Sequence, residues 1–156
     1  ARILDLGCGS AILAVAALSC WPTARAVATD IDPASVAAAA ANARVNGVAA
    51  RLRTLVVDGY DRPELARRDR FDLVLANILA GPLMEMAPDL AHTLAPGGHA
   101  VLAGLLSVQA SAVLLAHRRQ GLHAVGRYEI GPWTTLVLAK PLKDRPRHRK
   151  IRYPSP

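Results

Sequence analysis

Two acids and two glycines near the start of the chain stand at spacings that suit ligand binding: Asp5, Gly7, Gly9 and, 23 residues after Gly7, Asp30. Glycines at the end of an apolar strand let the backbone approach a ligand closely, and a helix that follows presents N–H groups lacking intrahelical partners. An acid at the end of the next strand accepts hydrogen bonds from ribose hydroxyls, and a spacing near 20 residues is typical of such sites. Asp32 competes for that role, but it directly precedes Pro33 and suits a helix N-cap better, so Asp30 is the expected ribose ligand. A dinucleotide fingerprint needs glycine at position 12, where this chain has Ile12, which argues against NAD and FAD. Asp5 lies inside the first strand, where a carboxylate is costly unless it orients the loop or a ligand's ammonium group.

Other chemistries find less support. The two cysteines, Cys8 and Cys20, form no CxxC and no cluster with histidine at metal spacing, so no metal is expected and a reducing, cytoplasmic compartment fits. His92, His99, His117 and His123 fall on helices or strand starts without a partnered acid or nucleophile, so none is read as catalytic. No apolar run approaches the roughly 18 residues of a membrane span, and neither end of the sequence reads as a charged-then-apolar secretion signal. The net charge of +7 is concentrated at one end: seven of the 19 Lys/Arg and one of the 12 acids lie from residue 140 onward. Nucleic acid is therefore expected to bind only through this Pro-rich basic tail, residues 141–156, which is otherwise read as disordered.

The elements that must position these residues alternate. Strands are expected at 2–6, 25–30, 51–58, 71–77, 99–105, 123–130 and 134–140, and helices at 10–20, 34–46, 63–68, 82–94 and 107–120. The last two strands, separated only by Gly131-Pro132-Trp133, should pair as an antiparallel hairpin. Five βα units before that hairpin imply an open, mostly parallel sheet with helices on both faces, and ligands beyond the carboxyl ends of its strands.

Asp5-x-Gly7-x-Gly9 after an apolar strand resembles the first motif of Rossmann-like, class I S-adenosylmethionine-dependent methyltransferases. The segment "FDLVLANILAGPLMEMAPDLAHTLAPGGHAVLAGLL" (71–106) is more specific. Its Asn77-Ile78-Leu79-Ala80, Pro82-Leu83 and Pro96-Gly97-Gly98 closely resemble the bacterial methyltransferases that modify the eleventh protein of the large ribosomal subunit. Gly7 to Ala17, Asp30 to Pro33 and "GPWTTLVL" (131–138) match further motifs of that family. The similarity covers about 1–140 and departs from the family at Ala11, where a third glycine is usual, and at Pro132, where glutamate is usual.

The resemblance implies a seven-stranded sheet and transfer of methyl groups from S-adenosylmethionine to lysine or α-amines of a ribosomal protein. Asp5, Gly7, Gly9 and Asp30 would form the cofactor site. Asn77 would lie where cofactor and substrate meet, as the catalytic residue and a cofactor contact. Asp58, at the end of the third strand, is the candidate for the adenine amine; its alternative is a polar loop residue before Gly59. Alanine at position 11 is read as a helix start that tolerates a methyl, with Ala11→Gly expected to tighten cofactor binding. The chain begins at Ala1 and enters a strand at once, so it is read as the catalytic core of an N-terminally truncated, monomeric protein. The alternatives are methylation of a nucleic-acid base or another amine or amide, and a cofactor-binding remnant without turnover. Ile78-Leu79 lacks the aromatic that stacks on a flipped base, which weighs against the nucleic-acid reading.

Overall fold

In the computed structural model, which describes residues 1–68 and 70–142, the apolar segments become strands of one sheet. The chain runs β1 (Arg2–Leu6), α1 (Ile12–Cys20), β2 (Arg25–Asp30), α2 (Pro33–Val45), β3 (Leu52–Val56), β4 (Phe71–Asn77), α3 (Ala80–Glu85), α4 (Ala87–Thr93), β5 (Leu94–Leu106), α5 (Ala110–Arg119), β6 (His123–Ile130) and β7 (Trp133–Ala139). The spatial order is β3-β2-β1-β4-β5-β7-β6. The first five strands pair in parallel, and β7 inserts antiparallel between β5 and β6. The expected mostly parallel, seven-stranded sheet with a C-terminal hairpin is present. No helix among the described residues is long and apolar enough to cross a membrane.

Each face of the sheet carries its own core. On one side α3, α4 and α5 cover a leucine-rich layer that includes Leu4, Phe71, Leu90, Leu102 and Leu136. On the other, α1 and α2 rest on a layer built largely of alanines, including Ala14, Ala17, Ala26, Ala28, Ala39 and Ala43. The order reverses between β1 and β4, because β2 and β3 extend to one side of β1 while β4 and β5 extend to the other. Loops leaving the carboxyl ends of β1 and β4 therefore flank an open crevice, the place where such sheets bind ligands.

Two expected helices differ. Residues 63–68 form turns rather than a helix, with Leu65 and Ala66 each donating to the Arg62 carbonyl, and buried Leu65 pins the segment. The single helix expected over 82–94 is two, broken at Met86. Pro88 cannot donate to the carbonyl of Met84 and its ring would crowd it, so α4 restarts with the proline in its first turn, where it is tolerated. Lys140, counted by sequence with the basic end, instead joins the body: its ammonium donates to the carbonyls of Ala91 and Leu94 at the end of α4. Residues 143–156 of the expected basic tail lie outside the described residues.

Candidate active site

The glycine loop is held from below and from the side. Asp5 is buried within β1, and its Oδ2 accepts the Ala14 N–H at 2.9 Å, anchoring the first turn of α1. Burial pushes its carboxyl up to about 6; the bond to Ala14 opposes this and the nearby charge of Asp30 adds to it. Asp30, at the end of β2, accepts the Gly9 N–H through Oδ2 at 2.8 Å and the Asp32 N–H through Oδ1 at 3.0 Å. Cys8 completes the link between strand ends by donating its N–H to the Thr29 carbonyl. Its thiol is pushed up to about 12 by burial and by the charges of Asp5 and Asp30. Asp32 caps α2, accepting from the N–H groups of Ala34 and Ser35 and from the Ser35 hydroxyl, and these bonds hold its carboxyl below the usual range.

Gly7 has φ +63°, and a Cβ there would stand 2.3 Å from Cγ2 of Ile78, so only glycine lets the β1 and β4 loops meet. Ala11 corrects an expectation. It is not a tolerant helix start but the left-handed residue preceding α1, with φ +57°. That conformation costs a residue bearing a Cβ about 1 kcal/mol, and full burial of the methyl group recovers part of it.

Two cavities open at this end of the sheet. The first, of about 370 Å³, is lined by Gly7, Thr29, Asp30, Asp58, Ile78 and Met86, among others. The second, of about 670 Å³, is lined by Asn77, Ile78, Leu79, Gly104, Trp133 and Thr134, among others. Ile78 and Leu79 wall both. Gly104 (φ +75°) makes room for Asn77, since a Cβ there would lie 2.5 Å from Asn77 Oδ1 and 3.3 Å from the Ile78 carbonyl oxygen.

Of the residues singled out from sequence, Gly7, Asp30 and Asp58 line the first cavity and Asn77 the second. Asp5 and Gly9 line neither and act through the loop that they fix. Sequence reasoning gave no role to Met86, Gly104 or Trp133, and none to the side chain of Ile78. Trp133 lay within a matched motif, and Gly104 interrupts an apolar strand, a signal of close approach.

The residues fit S-adenosylmethionine. The first cavity opens beside the Gly7 turn, where the glycine backbone leaves room for a close approach, and Asp30 and Asp58 both line it.

Comparison with known proteins agrees with this arrangement. The family profile described as ribosomal protein L11 methyltransferase (PrmA) matches residues 1–141. A ribosomal protein L11 methyltransferase of Bradyrhizobium diazoefficiens is 45% identical over 139 residues, covering 89% of this chain and 47% of the relative. One from Brucella suis is 49% identical over 119 residues, covering 76% of this chain and 41% of the relative. The crystal structure of ribosomal protein L11 methylase from Lactobacillus delbrueckii subsp. bulgaricus superposes with a TM-score of 0.81 at 28% identity, over 90% of this chain and 69% of that one. The chain thus spans about half the length of the curated relatives it matches.

Proposed function

Because the chain belongs to the ribosomal protein L11 methyltransferase family, we propose that it transfers methyl groups from S-adenosylmethionine to lysine side chains or the α-amine of a ribosomal protein in the cytoplasm. The observation that carries this reading is the shared wall: Ile78 and Leu79, which follow Asn77 at the end of β4, stand between a cavity lined by Asp30 and Asp58 and a larger one that Asn77 lines. The cofactor, when bound, supplies an electrophilic methyl on a positively charged sulfur. Asp30 holds the ribose hydroxyls, Asp58 accepts from the adenine amine, and Gly7 lets the loop backbone close on the ligand. Gly9 and Asp5 keep that loop in place.

The acceptor amine must arrive without its proton, and a free lysine holds one to a pH of about 10.4. Withdrawal from water into the second cavity lowers that value. Asn77 needs no basicity for its part. Its amide oxygen, with the carbonyls of Ile78 or Leu79, accepts hydrogen bonds from the amine and aims its lone pair, and alignment of this kind supplies much of the acceleration in a displacement reaction.

The test incubates the full chain with methyl-labelled S-adenosylmethionine and, separately, ribosomal protein L11 or total RNA. Label on amines of the protein is the expected result. Label in RNA alone, or cofactor binding without transfer to either, overturns the reading.

A further inference from the structure

At the opposite end of the sheet, where the strands begin, lies a cavity of about 480 Å³ whose wall carries five arginines: Arg2, Arg25, Arg51, Arg53 and Arg70. They come from adjacent strand starts. Arg2 and Arg25 are register partners on β1 and β2, and Arg51 immediately precedes Leu52, which pairs with Ala26. Neighbouring strands lie about 4.8 Å apart, so these guanidinium groups form a row along the sheet edge rather than a closed cup.

Carboxylates answer only part of this charge. Asp72 pairs with Arg2 at 3.4 Å and Glu64 with Arg53 at 3.3 Å. Arg51 spends its Nη1 on the neutral carbonyls of Leu18, Trp21 and Ala24. Arg25 and Arg70 have no carboxylate within 4 Å among the described residues. The guanidinium of Arg70 lies 5.3 Å from the centroid of the Phe71 ring, with its buried Nε unpartnered.

We propose that this arginine-lined edge binds the phosphodiester backbone of RNA. Guanidinium forks match phosphate oxygens in pairs, and a linear row of cations across several strands suits a linear polyanion better than a single compact one. The site reads no base sequence and serves to position the protein, as phosphate contacts do. The five residues of β1 separate it from the glycine loop by about 16 Å, so RNA held there leaves both cavities of the candidate active site open. The choice of RNA over other polyphosphates rests on the proposed ribosomal substrate; the charge array itself does not depend on that reading. Nucleic-acid contact thus falls on the folded body as well as on the basic end where sequence alone located it.

The test measures fluorescence anisotropy of a labelled 12-nucleotide single-stranded RNA with the full chain, between 50 and 200 mM salt. R25Q/R53Q/R70Q is expected to weaken binding at least ten-fold and to flatten the log–log salt dependence by about two, the share of three phosphate contacts on a single strand. R25Q/R53Q, which leaves the half-buried Arg70 in place, is expected to give an intermediate loss with an unchanged thermal melt. A chain with Arg145, Arg147, Arg149, Lys150 and Arg152 changed to Ser is expected to keep most of the affinity. Absence of RNA binding, or equal affinity of the triple variant and the unaltered chain, overturns the proposal. So does displacement of the RNA by a mononucleotide or by polyglutamate at equal charge concentration. None of these readouts involves methyl transfer, so failure here and failure of the proposed activity are separable.

Discussion

Asp5 holds the first turn of α1 at the expense of a buried charge. Its carboxyl titrates at about 6 when folded and near 3.8 when unfolded, so the folded state binds the proton more tightly. Stability therefore falls as pH rises from about 4 to 6, and above that range the ionised form costs about 3 kcal/mol. D5N keeps an acceptor for the Ala14 N–H and removes the titration. Urea unfolding across pH 4–7 should show the unaltered chain losing stability relative to D5N, and parallel curves would contradict a buried ionisable group. The same variant should bind a cationic cofactor less tightly.

Cys8, between the loop glycines, looks reactive by position, but its thiol is buried and pushed up to about 12, whereas Cys20 is exposed. Mass spectrometry after brief iodoacetamide treatment should find Cys20 alkylated and Cys8 intact until the chain unfolds. Gly104 bears on the proposed chemistry. Adding a methyl in G104A displaces Asn77 Oδ1, which borders the second cavity and not the first, so transfer should fall by an order of magnitude or more and further than cofactor affinity does. Equal losses of both would show that Gly104 serves the fold alone.

At the scale of elements, charged side chains close the helix ends that sequence left open. Arg51 donates to carbonyls at the end of α1, and Lys140 does the same for α4. A cation at a helix C-terminus stabilises through hydrogen bonds and the helix dipole together. K140M, which preserves the apolar stem, should lower unfolding free energy by about 1–2 kcal/mol, measured in urea with an unchanged slope. Neither contact was legible in the sequence, because each joins residues at least 30 positions apart. Local patterns were read well where apolar alternation and turn residues agreed, as in Arg2–Leu6, Arg25–Asp30 and Phe71–Asn77. They failed over 82–94, where apolar periodicity continued across Pro88, and over 63–68, where tertiary burial of Leu65 replaced helix formation.

For the whole molecule, the candidate site depends on one reversal of strand order, which brings Gly7 and Ile78 into contact although 71 residues separate them. The glycines, Asp30 and Asn77 were legible because strand ends carry recognisable residue types. The contact between the two loops was not, since nothing in Ile78 itself announces the partner that its methyl group meets. Ala11 was misread because backbone handedness leaves no trace in a residue that also favours helices. Since the first cavity joins the ends of β1, β2, β3 and β4, a ligand there ties together elements from both halves of the sheet. S-adenosylmethionine at 100 times its dissociation constant should raise unfolding free energy by about 2.7 kcal/mol, read as a shift in the urea midpoint. No shift would show that the folded chain does not bind the cofactor.

The alanine layer beneath α1 and α2 has a mechanical consequence. Alanine has no side-chain rotamers to freeze, so this interface orders at little side-chain entropic cost and has no internal freedom with which to absorb an intruding atom. The leucine layer opposite can shift rotamers to accommodate one; where alanine faces alanine, the helix must move instead. Any enlargement at Ala14, Ala17 or Ala28 is therefore transmitted as displacement of α1 and, through the Asp5 link, of the glycine loop itself. Cofactor affinity at the proposed site should therefore respond to the thickness of a layer whose Ala14, Ala17 and Ala28 line neither cavity.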